Sequence, residues 1–204
     1  MRHDVTGMTQ VATAFRALSA SAPVGPAAIL AVLLAAIGSN GCLVLSLQPA
    51  YDAGAVVFDE ALVGQWENAD DRTSATIERA EWRSYKIAYT DAFATRLFHG
   101  NLTTIGKATL LDVTDIRGTD QGPYLLPVHG VFRVAVSRDA LTVADLDYGW
   151  FTRALAQKLA GRPAAAFDDR RNVVLTAPTV ELRRWLGRAP ADVFGAEATY
   201  VRKR

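Results

Sequence analysis

From Leu62 to its end, the chain is written as short runs of β-forming residues separated by turn formers. This cadence limits the fold more than any other feature. "LVGQWEN" (62–68), "RTSATIERA" (72–80) and "WRSYKIAYT" (82–90) are each about one strand long. In the second run Thr73, Ala75 and Ile77 alternate with Ser74, Thr76 and Glu78. In the third, Tyr85, Ile87 and Tyr89 share a face. "ATRLFHGNLTTIG" (94–106) is longer, and Gly100 within it is expected to mark a kink or bulge. "KATLLDVTDI" (107–116) follows after a tight turn at Gly106-Lys107. "VHGVFRVAVS" (128–137) and "ALTVADLD" (140–147) form a hairpin across Arg138-Asp139.

Two helices interrupt this pattern late. One is expected over 148–161, with Asp147 as N-cap, an apolar stripe of Phe151, Leu155 and Leu159, and Gly161 as its stop. The other is expected over 178–188, with Val180, Leu182, Trp185 and Leu186 facing the core. "NVVLTA" (172–177) and "EATYVRKR" (197–204) read as strands. The fold class is therefore mainly β. Consecutive strands with short links favour an antiparallel meander closing into a barrel, with two short C-terminal helices; a two-sheet β-sandwich is the alternative.

Ahead of this domain lies the strongly apolar run Ala27 to Ile37, followed by "GSNGC" and the single cysteine, Cys42. A membrane-spanning helix needs roughly 20 apolar residues, and this run falls well short. It has the length of the apolar region of a signal peptide, and Arg2 and Arg16 ahead of it outnumber Asp4. The junction resembles a bacterial lipobox, in which small residues precede a lipid-modified cysteine. Gly41 fits that pattern, whereas Ser39 stands where an aliphatic residue is usual. The resemblance implies a lipoprotein signal peptide over 1–41, lipidation at Cys42, a lipid-anchored tether over 42–60 and a folded domain over 61–204. Ordinary secretion and an uncleaved anchor are the other readings. Each buried methylene contributes about 0.8 kcal/mol, so several acyl chains hold stably where one does not. Leu43 rather than Asp follows the cysteine, which by the enterobacterial sorting rule implies the outer membrane, facing the periplasm.

"LVGQWE" contains Gly64-x-Trp66 at the start of the first strand. This resembles the lipocalin (calycin-type) signature, in which Gly-x-Trp opens the barrel and the tryptophan plugs its closed end. The resemblance implies that Arg202, on the last strand, packs over Trp66, and that Gly64, Trp66 and Arg202 are structural. The tract "LVGQWENADDRTSATIE" also resembles uncharacterised bacterial lipoproteins. A barrel of this kind is expected to bind a small apolar ligand or acyl chain. Tyr85, Tyr89, Phe132, Tyr148, Trp150 and Phe151 are the candidate lining residues, the last three at a strand-to-helix corner near the barrel mouth. All six serve equally well as plain core. The other functional reading is an envelope interaction or maintenance lipoprotein with a filled barrel, acting through its surface.

No catalytic constellation stands out, and no enzyme activity is expected. There is no "GxSxG" and no phosphate-cradling glycine loop. His99 and His129 are conceivable bases and, with Asp112, a conceivable metal site, but strand histidines more often serve as structural hydrogen-bonders, and no metal or cofactor is expected. The chain holds 22 basic and 21 acidic residues; without residues 1–41 there are 20 of each. That balance argues against nucleic acid as a partner and leaves the lipid anchor as the expected membrane contact.

Overall fold

The computed structural model describes residues 43–116, 126–159 and 161–204. Residues 1–42, with the expected signal peptide and Cys42, lie outside the described residues. Twelve strands form one sheet system. Eight of them close a barrel: β3 (Gly64–Asn68), β4 (Thr73–Arg79), β5 (Ser84–Thr90), β6 (Thr95–Ile105), β7 (Ala108–Asp115), β8 (His129–Val136), β9 (Ala140–Asp145) and β12 (Ala198–Arg202). Neighbours from β3 to β9 pair antiparallel in chain order. β12 then slots between β9 and β3 and completes the ring. The closed barrel stands in place of the two-sheet sandwich. Closure satisfies every barrel strand on both sides, which an open meander cannot do.

Alternation decides what fills the barrel. Trp66, Ile77, Tyr85, Ile87, Leu102, Leu111, Val134 and Leu141 point inward and are buried together with Leu62. Gly100 makes no bulge, because the ladders to β5 and β7 run through it without a break. A Cβ there would press on Ile87 Cδ1 at 2.9 Å and Leu111 Cδ1 at 3.3 Å, so the glycine makes room for the lumen side chains.

A second layer covers one outer wall. It comprises β1 (Val44–Ser46), β10 (Ala165–Phe167), β11 (Val173–Leu175) and the helices α1 (Tyr148–Ala156) and α2 (Thr179–Leu186). Its core holds Val44, Phe151, Val173, Leu175 and Leu182, together with the outward-facing Leu110 and Val131 of the barrel. α1 begins as expected, with the Asp147 side chain accepting from Trp150 N, but ends at Ala156 and leaves Leu159 beyond it and exposed. In α2, Leu182 and Leu186 are buried, whereas Val180 faces outward.

The segment expected to be a tether is part of the fold from Leu43 onward. β1 pairs in parallel with β11 and touches β8 through Ser46 and His129. β2 (Val56–Val57) pairs with Leu102 and Thr103 of β6, the place that β5 leaves once its ladder ends at Asn101. Between them, buried polar groups hold residues 50–55. Ala50 N donates to Asp112 Oδ2 at 2.7 Å, and Asp112 Oδ1 bonds His129 Nδ1 at 2.6 Å. Arg183 Nη1 donates to Ala50 O at 2.8 Å and Thr103 Oγ1 at 3.1 Å, and Thr103 Oγ1 donates to Ala55 O. Asp112 is only 1% exposed, so its oxygens have these partners in place of water.

Asp112→Ala therefore orphans the Ala50 amide and the His129 ring together. The variant should lose about 2–4 kcal/mol of stability, read as a lower denaturation midpoint by tryptophan fluorescence. An unchanged midpoint would show that this junction does not hold the N-terminal segment.

Candidate functional site

The chain direction in each strand places Gly64, Arg79, Ser84, Ile105, Ala108, Val136, Ala140 and Arg202 at one end of the barrel. Residues 58–63 lie across this end, pinned by three inward side chains. Trp66 is fully buried, and its Nε1 donates to Leu62 O at 2.9 Å. The Arg202 guanidinium sits 4.1 Å over the Trp66 ring. It donates from Nη1 to Val63 O at 2.8 Å, from Nη2 to Ala61 O at 2.5 Å and from Nε to Arg138 O at 2.8 Å. Tyr85 OH accepts from Asp59 N at 2.7 Å and stands 3.1 Å from Asp59 O, and its ring stacks on Phe58 at 4.9 Å. Burial holds the Tyr85 hydroxyl above the usual tyrosine pKa, and the Tyr200 hydroxyl is raised for the same first reason.

Gly64 has φ +148°, a conformation that L side chains rarely adopt, and a Cβ there would collide with Arg202 Nη1. Gly64, Trp66 and Arg202 thus form one contact unit at the closed end, made of the first and last barrel strands.

The six candidate lining residues divide across the barrel wall. Tyr85 is sealed into the floor. Tyr89 and Phe132 point into the other half of the lumen with Phe98, Val113, Val143 and Tyr200, all half-buried. Tyr148, Trp150 and Phe151 lie outside the barrel, in the second layer. The reason is the corner after β9. Asp147 N donates to Val193 O at 2.8 Å and Gly195 N to Asp145 O at 2.9 Å, so the strap 191–195 turns α1 onto the outer wall. Of loop "PYLLP", residues 123–125 lie outside the described residues.

The barrel opens elsewhere, between β7 and β8. The β7–β8 ladder ends at Thr109–Val134. Beyond it, Lys107 and Ala108 part from Ala135 and Val136, and a cavity of about 410 Å³ opens there. Its apolar lining comes from Leu62, Leu102, Val134 and Val136. Its polar rim comes from Lys107, Arg133, Asp59 and Glu197. Arg133 is paired with Glu197 at 3.2 Å and stacks on Phe194, whereas Lys107 makes no ion pair among the described residues. The lining residues come from four separate parts of the chain, so only strand register could reveal that they meet. The volume falls within the range of small-molecule sites.

His129 and Asp112 do meet, but in the covered junction behind β1. His99 bonds Asn101 Nδ2 at 3.3 Å instead of joining them. Among the described residues no group of three or more His, Cys, Asp or Glu could hold a metal ion. Among them, too, no helix is long and apolar enough to cross a membrane.

Two measurements check the floor. Gly64→Ala should cost about 1–3 kcal/mol, because the new methyl displaces Arg202, and Arg202→Ala a similar amount. The double variant should cost less than the sum by about 1 kcal/mol or more, since the clash disappears with the guanidinium; strict additivity would refute the contact. Raised tyrosine pKa values stabilise the fold fully below pH 10, the unfolded value, and lose that contribution as pH rises through the folded values. Denaturation midpoints should therefore fall as pH rises above about 10, and less steeply in Tyr85→Phe.

The closed eight-stranded antiparallel barrel is consistent with a lipocalin-like fold. Comparison with protein families, with curated proteins and with solved structures finds no match to the chain.

Proposed function

We propose that this chain is a lipid-anchored binding protein that holds the apolar body of a small amphipathic molecule, such as an acyl chain, without chemically changing it. The observation that carries this reading is the cleft between β7 and β8. Its lining of Leu62, Leu102, Val134 and Val136 continues into the barrel core. Its rim places the Lys107 ammonium where an acidic head group would sit. An apolar lining with a few polar groups at the edge is the usual make-up of such sites. The anchor rests on the sequence: an apolar run of signal-peptide length directly before Cys42. With acylation at Cys42, the fold begins at the membrane surface, because Leu43 N is already bonded to Asn172 Oδ1 at 2.9 Å. A bacterial envelope, and its outer membrane in particular, is the location that fits the lipobox resemblance.

The packed floor favours a second reading. Trp66 and Tyr85 are fully buried, so that half of the lumen is occupied by the protein's own side chains. A barrel filled in this way would act through its surface as an interaction or maintenance protein.

One experiment separates the two. The protein purified from its own membranes is weighed intact, extracted with organic solvent and titrated with cis-parinaric acid. The binding reading expects a mass for a chain beginning at acylated Cys42, a co-purifying lipid and saturable parinaric acid fluorescence. Val136→Trp, placed in the cleft, should weaken that fluorescence by about tenfold or more while the circular dichroism stays unchanged. Saturable binding that ignores Val136→Trp would remove the cleft from the proposal. An empty extract without parinaric acid binding would favour the surface reading, and an unmodified Cys42 would refute the anchor.

A further inference from the structure

A second cavity, of about 560 Å³, lies between α1 and α2, on the far side of the wall from the lumen. Two tryptophans are the largest apolar side chains in its lining. Trp150 and Trp185 have ring centroids 5.9 Å apart and planes inclined at 55°, so they make an open V. Phe151, 1% exposed, packs beneath both at 5.0 and 5.6 Å and keeps the V from collapsing. Each tryptophan is only half-buried, and both line the cavity.

Three arginines surround this surface. Arg184 and Arg188 are exposed and make no ion pair among the described residues. Arg162 differs from them. Its Nε is buried and has no acceptor, the only such side-chain nitrogen or oxygen among the described residues. The same guanidinium reaches only Pro163 O, at 3.4 Å from Nη1. A buried donor on a charged group without an acceptor is costly, and such a donor at the edge of a cavity is relieved by an acceptor arriving from outside. Glu181 is the one acidic residue in the lining. The surroundings are therefore net cationic, in a chain whose overall charge is only +1.

We propose that this cavity binds a planar aromatic anion, its ring resting against Trp150 or Trp185 and its carboxylate or phosphate taken by Arg162, Arg184 and Arg188. An aromatic ring matches the faces of the V, and an arginine fork matches a two-oxygen anion. A neutral aromatic gains only the first of these contacts, and a bare inorganic anion only the second. The site is independent of the β7–β8 cleft and of any acyl ligand there, because the two cavities share no lining residue.

The test is calorimetric titration of the full chain with 1-naphthoate and, separately, with neutral 1-naphthalenemethanol. Naphthoate should bind at least about tenfold more tightly than the alcohol. In the double variant Arg184→Gln/Arg188→Gln that preference should shrink to about threefold or less, while binding of the alcohol is unchanged. Both side chains are exposed, so the variant should keep the native circular dichroism. Val136→Trp, in the other cavity, should leave naphthoate binding as it was. Equal affinity for the two compounds, an absence of binding, a preference that survives the double change, or a loss in Val136→Trp would each overturn the proposal.

Discussion

The contact between Arg202 and Trp66 is where the two ends of the barrel's chain path meet. β12 is laid down last and has to find β3, the first barrel strand, and only then does the sheet close. The guanidinium makes that joint specific. It covers the indole face and at the same time bonds Ala61, Val63 and Arg138 carbonyls. Those bonds fix the segment that seals the barrel end. Gly64 gives up its side chain so that the arginine can approach. Burying Trp66 contributes on the order of 2–3 kcal/mol, but burial alone has no direction. The hydrogen bonds give the register.

The second layer follows from this closed cylinder. A barrel whose outer wall carries Leu110 and Val131 needs a cover on that side, and the helices and the small sheet β10–β11–β1 provide it. The cover carries polar groups under it, because Asp112, His129 and Thr103 stand on the same outward parity as Leu110 and Val131. They are tolerated because the N-terminal segment brings backbone groups to meet them. Asp112 thus exchanges water for an amide and an imidazole. The segment 43–57 gains a fixed place in return, which its composition alone did not suggest.

Two cavities of different character result from this arrangement. One appears where β7 and β8 separate and opens toward apolar lumen residues. The other appears where α1 and α2 diverge, between tryptophans and arginines. In each case the polar edge comes from side chains that the packed core could not absorb: Lys107 in the first, Arg162, Arg184 and Arg188 in the second. The separation matters for function, because a change in one lining leaves the other intact.

Much of this architecture was legible in the chain. The strand runs from 62 to 147 lie within a residue or two of β3 to β9, because alternation and turn residues are local properties. Asp147 announced α1, and Gly64-x-Trp66 pointed to a closed end with Arg202 over it. Gly100 was misread because a strand glycine signals a bulge and a crowded lumen equally well, and only its neighbours Ile87 and Leu111 decide which. The strands β1, β2 and β10, at two or three residues each, are too short to carry a pattern and exist through their partners. A strand-to-helix corner suggests the barrel mouth for Tyr148, Trp150 and Phe151, but the strap at 191–195 turns them onto the outer wall. Local residue order determined the strands, the helix start and the barrel class. Register, closure and the meeting of distant side chains belong to the tertiary structure, since each depends on groups far apart in the chain becoming neighbours.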